Sequence, residues 1–277
     1  MSNDRSALRA TPLSPGFGIE IHGMDVAGLS ADQLAFLQDA ILHHKVVVIR
    51  DQAHAGPRAL LELSEMLGTP ELEPHVTHLD HPDAPGVRVL HSDAATDAYG
   101  DNWHTDGATR TDPQWVTLLQ AVDIPPIGRD TVFADMEAVF ERLSPAMQAF
   151  LRPLRATHSW GMQKPDAAPV EHDLVHTDPI TGRDTLYVNR TYTRSIVGLT
   201  AEESTALLNC FYAMVHRPEV QMRLSWQPGT IMIWDNAKVQ HYLVMDQPYP
   251  RVMHRTMVSG KPIRQPGLKT GGSRIAA

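Results

Sequence analysis

The chain has 277 residues, a single cysteine, and 24 basic against 32 acidic side chains, giving a formal net charge of -8. Phosphate backbones are bound by clustered Lys and Arg, so an acidic chain without a basic run speaks against a nucleic-acid partner. No apolar run reaches membrane-spanning length and the lone Cys210 cannot close an intrachain disulfide, so a reducing, cytoplasmic setting without a membrane partner is expected.

Composition does not shift along the chain and no repeat is present, so one domain spanning 1–277 is expected, with poorly ordered ends at 1–12 and 267–277 that lack apolar periodicity. Gly18-Ile19-Glu20-Ile21 alternates, predicting a first strand within 17–26. Ser30-Ala31-Asp32-Gln33 reads as a capping box opening a helix on which Leu34, Leu37 and Ile41 recur at helical spacing. Val46-Val47-Val48-Ile49 is a β-branched run, the mark of a mid-sheet strand buried on both faces. A second helix is predicted over 60–67, stopped by Gly68.

Asn102-Trp103-His104-Thr105-Asp106 follows, and on an extended strand His104 and Asp106, two residues apart, point to one face. With a distant third His they would complete the 2-His-1-carboxylate triad of non-haem Fe(II) oxygenases, which leaves positions open on the metal. A bare His-x-Asp means little in a chain with 15 His, so the weight lies downstream. Short strands are predicted over 115–121, 131–134, 155–160, 185–189, 230–234, 240–245 and 251–259. Between them, Ser144-Pro145 starts one helix, and the capping box Thr200-Ala201-Glu202-Glu203 starts another whose Leu208, Phe211 and Val215 share a stripe. The polar segment 161–173 holds two prolines and no period, which predicts a loop suited to be an active-site lid. The whole is mainly β with peripheral helices, as in a sandwich or jelly roll.

A jelly roll can bring remote strands together, and three residues then fall where the metal hypothesis needs them. His241 would be the third ligand, Arg255 a planar fork able to grip a carboxylate, and Thr131 a hydroxyl beside it. The sequence resembles the taurine dioxygenase family of Fe(II)- and 2-oxoglutarate-dependent oxygenases over about 18–260. The resemblance rests on the 102–106 motif, Gly128-Arg129-Asp130-Thr131, Thr181-Gly182-Arg183 with Leu186-Tyr187-Val188-Asn189, Trp234-Asp235-Asn236 with Gln240-His241, and Met253-His254-Arg255. It implies a double-stranded β-helix (jelly roll), iron on His104, Asp106 and His241, 2-oxoglutarate on Arg255 and Thr131, and O2 as co-reactant. The activity implied is hydroxylation of an aliphatic C–H in a small, anionic molecule, with C–heteroatom cleavage where the product collapses. Related halogenases have a small residue in place of the carboxylate, so Asp106 disfavours halogenation.

Desaturation or cyclisation in specialised-metabolite biosynthesis is the alternative outcome at the same iron, and a metal-free jelly-roll module that binds anions is the alternative without catalysis. His75, His78, Asn102 and Tyr192 are the candidate substrate-pocket residues; His75 and His78 are read as pocket rather than as a second metal site. Gly100 and Gly107 depart from the taurine enzyme and speak against taurine itself. His254 is read as structural because it faces away from Arg255, and His158, His172 and His176 as surface or core groups. Asp235 is read as a turn former, while Arg223 and Arg251 suit either solvent or an anionic substrate. Homo-oligomerisation is compatible with the sequence.

Overall fold

Apolar alternation divides the core strands between two layers, while the strands within 155–196 form two further small sheets. In the computed structural model, which describes residues 8–71, 79–92, 102–246 and 249–260, the chain opens with β1 (Arg9–Pro12), β2 (Ile19–His22), α1 (Ala31–His44), β3 (Val46–Ile49) and α2 (Pro57–Leu67). Next come β4 (Thr69–Glu71), β5 (Leu79–His81), β6 (Ala84–Ser92), β7 (Val116–Asp123), β8 (Thr131–Asp135), α3 (Met136–Glu141) and α4 (Pro145–Leu151). Five short strands, β9 (Arg155–His158), β10 (Val170–Asp173), β11 (Val175–Thr177), β12 (Asp184–Leu186) and β13 (Thr193–Ile196), lead to α5 (Ala201–Val215). The described part ends with β14 (Gln221–Leu224), β15 (Ile231–Asp235), β16 (Val239–Leu243) and β17 (Arg251–Ser259).

The main sheet runs β1-β2-β3-β15-β7-β17-β6-β5, with β4 also on β17, and a minor sheet runs β14-β8-β16. Strand β3 shows why both faces matter. Val47 and Ile49 pack with Ile231, Ile233 and Leu118 against Leu37 and Ile41 of α1 and Leu60 and Leu63 of α2. Val46 and Val48 turn the other way and, with Leu119, Met232, Trp234 and Met253, pack on Phe133, Met222, Leu224 and Val239 of the minor sheet. A third cluster, including Phe211, Leu208, Phe140 and Leu151, seats the later helices behind the minor sheet. Each such side chain contributes about 1.5–3 kcal/mol on burial.

The local signals place most elements. Ser30 and Gln33 form a reciprocal capping box on α1, and Thr200 and Glu203 form one on α5. Two expectations are corrected. Arg9–Pro12 pairs antiparallel with β2, so ladder hydrogen bonds hold a segment whose side chains show no period. Residues 170–173, expected in the lid loop, form β10 on the edge of β9, and Gly161–Gln163 makes a single 3-10 turn.

One buried ionic cluster ties the layers together. Lys45 Nζ lies 2.7 Å from Asp135 and 2.8 Å from Glu137, and Lys238 Nζ lies 3.0 Å from Asp178, with all five side chains almost wholly buried. Removing one member strands the others as uncompensated charge. Lys45→Met should therefore lose about 3–5 kcal/mol in chemical denaturation. A loss below 1 kcal/mol would show that the carboxylates find other partners.

Candidate active site

His104 is held by a single bridge rather than by the continuous strand expected for it. Its N–H donates to His241 O at 3.1 Å and its carbonyl accepts from His241 N at 2.9 Å, while Asp106 already opens a turn. The bridge sets the two imidazole rings 4.0 Å apart. On β16, His241 shares the inward face with Val239, and its ring lies 4.9 Å from Trp234 and 6.0 Å from Phe133.

Nε2 of His104 and Nε2 of His241 each stand 3.9 Å from Asp106 Oδ1, too far for hydrogen bonds, and the three donor atoms lie within 4.8 Å of one another. Ligands that share one ion at about 2 Å need such a spacing. Among the described residues no other His, Cys, Asp or Glu trio gathers so closely. Protonation states fit as well. His104 Nδ1 is 2.7 Å from Asn102 O, and because a carbonyl only accepts, Nδ1 carries a proton there and Nε2 is the ring atom turned toward the trio. Burial above all, with His104 and Arg255 beside it, holds the His241 imidazole down to about 3 against the pull of Asp106, so the ring is neutral at neutral pH. Burial pushes the Asp106 carboxyl up, but His241, Arg255, His104 and a hydrogen bond from Thr117 outweigh it and hold the group below its ordinary range. Two imidazoles, each presenting Nε2, and one carboxylate are the donor set of a non-haem Fe(II) centre.

Thr117 decides which carboxylate oxygen faces the imidazoles. Its Oγ1 donates to Asp106 Oδ2 at 2.8 Å and accepts from Asn236 Nδ2 at 3.1 Å, all three residues being buried. Oδ1 is left on the His side. Supporting partners of this kind typically change metal affinity 10- to 100-fold, so Thr117→Val should weaken Fe(II) binding by about 10-fold or more in an anaerobic titration. Thr117→Ser, which keeps the hydroxyl, should bind as the parent does; equal weakening in both variants would argue for packing instead.

Arg255 and Thr131 face one layer from opposite sheets. On β17, Met253 packs between the sheets, so alternation sends Arg255 the same way. His254 and Thr256 point outward, His254 edge-on to His81 at 5.1 Å and Thr256 Oγ1 2.5 Å from Ser64 Oγ of α2. On β8, Phe133 faces the same layer and Thr131 follows it by parity. The Arg255 charge reaches both Asp106 and His241. A guanidinium fork and a hydroxyl so placed can hold a carboxylate beside the metal trio.

The family model described as taurine catabolism dioxygenase TauD, TfdA family matches residues 9–257. The chain belongs to that family. It is 34% identical to an alpha-ketoglutarate-dependent sulfonate dioxygenase of Saccharomyces cerevisiae across 90% of this chain, and spans 65% of that relative's length. An alkylsulfatase of Acinetobacter baylyi is 30% identical across 94% of this chain and 88% of its own. The crystal structure of a taurine dioxygenase from Burkholderia xenovorans superposes with a TM-score of 0.82 at 32% identity, covering 92% of this chain and 90% of that one.

In this member of the TauD, TfdA family, Gly107 answers a backbone need. It stands at φ +73, where a Cβ would lie 2.3 Å from Gln114 Oε1, so the buried Gln114 side chain fills the space that its lack of a side chain leaves. Tyr192 stands beside the trio, its ring 6.5 Å from His104 and 5.1 Å from Trp160. Asn102 is exposed, and its carbonyl makes the contact with His104. Arg223 pairs with Asp130 at 2.6 Å and Asp246 at 3.1 Å. Asp235 forms its turn by accepting from Ala237 N at 3.0 Å. His75, His78 and Gly100 lie outside the described residues. Thr117, Gln114 and Asn236 were invisible as site residues in the sequence, because only the pairing of β7 with β15 brings them to Asp106. Among the described residues no helix is long and apolar enough to cross a membrane.

Proposed function

We propose that the chain is an Fe(II)- and 2-oxoglutarate-dependent dioxygenase that hydroxylates an aliphatic C–H of a small anionic molecule. Where the hydroxylated carbon bears sulfur or oxygen, the product collapses and the C–heteroatom bond breaks. The observation that carries the reading is the convergence of His104 Nε2, His241 Nε2 and Asp106 Oδ1 within 4.8 Å, close enough to Arg255 for its charge to act on Asp106. When bound, Fe(II) with 2-oxoglutarate and O2 would supply the oxidation, yielding succinate and CO2 and delivering one oxygen atom to the substrate carbon.

The residues divide the remaining work. His104, Asp106 and His241 would hold the metal, and Arg255 with Thr131 would take the far carboxylate of the cosubstrate. Phe133 and Trp234 pack on the His241 ring and keep water from it. Tyr192 and Trp160 give an aromatic wall against which an alkyl portion can pack. Relatives named for sulfonates and alkyl sulfates favour an anionic head group of that chemistry.

The deciding experiment loads the protein anaerobically with Fe(II) and 2-oxoglutarate, and follows the charge-transfer band while short alkyl sulfonates and alkyl sulfate esters are added. A compound that shifts the band should, on admitting O2, yield succinate in step with an aldehyde and free sulfite or sulfate. Product masses should be the same with and without chloride, since Asp106 takes the place a halide would need. No charge-transfer band at saturating Fe(II) and 2-oxoglutarate would sink the assignment, and a chlorinated main product would remove Asp106 from the ligand set.

A further inference from the structure

We infer that Trp226 is a positioning residue for the cosubstrate: its indole N–H fixes the Thr131 hydroxyl as a donor toward the far carboxylate of 2-oxoglutarate. The inference rests on the reading of Thr131 as a cosubstrate contact. Trp226 Nε1 lies 3.0 Å from Thr131 Oγ1, and both side chains are more than nine-tenths buried. An indole N–H can only donate, so Thr131 Oγ1 accepts in this bond. Its own proton must then go elsewhere, and among the described residues it meets no acceptor. Buried hydroxyl protons are rarely left so. Thr131 faces the layer into which Arg255 points, and an anionic oxygen held there by the guanidinium is the acceptor the hydroxyl lacks.

Without the indole the threonine hydroxyl can take other staggered orientations, including ones that aim a lone pair rather than the proton at the carboxylate. The N–H removes that freedom by occupying the oxygen from behind. The fold fixes the turn that carries the indole. Leu224 pairs with Thr131, which brings the end of β14 over the start of β8. Arg50 Nη1 donates to Ser225 O at 2.9 Å and to Thr230 Oγ1 at 3.0 Å, gripping the turn on both sides of Trp226. Gly229 N donates to Ala121 O at 2.8 Å, and at φ +75 a Cβ there would meet Ala53 N at 2.3 Å, so the turn sits flush on the main sheet.

A double-mutant cycle separates this role from ordinary packing. The dissociation constant of 2-oxoglutarate is read from the anaerobic Fe(II) charge-transfer band for the parent, Trp226→Phe, Thr131→Val and the double variant. Each single change should raise it by about 3- to 10-fold, the range of one neutral hydrogen bond, and the double variant should be no worse than Thr131→Val alone. Fe(II) affinity without 2-oxoglutarate should not move. Additive losses, or a parental constant for Trp226→Phe while Thr131→Val is weakened, would overturn the inference. A parental constant for Thr131→Val removes Thr131 from the cosubstrate site and this inference with it, while a weakened Arg255→Ala would leave the rest of the proposed function standing. Should Trp226→Phe fail to fold, the Trp226 indole N–H resonance in isotope-labelled, Zn(II)-loaded protein decides. It should shift on adding 2-oxoglutarate to the parent and stay in place in Thr131→Val; equal shifts in both overturn the inference.

Discussion

His241→Ala is expected to abolish Fe(II) binding at concentrations that saturate the parent protein, while His254→Ala keeps it. Both residues are buried or half-buried His on strands of this fold, and only direction separates them. His241 presents Nε2 3.9 Å from Asp106 Oδ1, whereas His254 lies across β17 against His81. Loss of a group that merely supports a ligand already weakens metal binding 10- to 100-fold, so loss of the ligand itself should exceed about 100-fold. His104→Ala should behave like His241→Ala. The change also opens a cavity beside Phe133 and Trp234, so a thermal melt must accompany each titration. A folded His241→Ala protein with parental iron affinity, or loss of iron in His254→Ala, would move the metal away from this trio.

What the sequence made legible was local. The capping boxes at Ser30 and Thr200 and the β-branched run 46–49 carry their own signals within a few residues, and each forms as read. That His104, Asp106 and His241 belong together was readable from residue type and from family resemblance, and the three side chains do converge, but the local geometry was not readable. A strand was expected at 102–106, and a single bridge to His241 does that work, because its partner lies 137 positions away and pairing at that distance leaves no periodic trace. Helix α3 escaped notice because Asp135 ends β8 and caps the helix at once, so no turn residue separates the two periods. No strand is predicted over 84–92, where Pro85 and Gly86 stand; β6 forms there, with Ala84 paired to His81 of β5 and 88–92 paired to β17. Lys45 and Lys238 carry no local sign of burial and are almost wholly buried, since their carboxylate partners come from other elements. Thr117 and Asn236 belong to the same class: ordinary polar residues that acquire a role only where strands meet.

Arg255→Ala should raise the concentration of 2-oxoglutarate needed for half-saturation by about 30-fold or more. The guanidinium offers two parallel charge-assisted bonds to a carboxylate whose other end the metal holds, and truncating one partner of a buried, hydrogen-bonded charge pair costs about 2–5 kcal/mol. Arg255 is well placed for this because Met253 anchors the same face of β17 in the core between the sheets. Arg255→Lys should also be impaired, since an ammonium on a flexible stem cannot reproduce the planar fork. Iron affinity measured without cosubstrate should move far less: Arg255 acts on Asp106 through its charge alone, beside the closer His241 and the Thr117 bond. The comparison is therefore between two titrations on one protein, Fe(II) alone and 2-oxoglutarate into the Fe(II) complex. A large loss confined to the second assigns the anchor to Arg255. Parental 2-oxoglutarate affinity in a folded Arg255→Ala protein would leave the metal trio intact and require another cation to hold the cosubstrate.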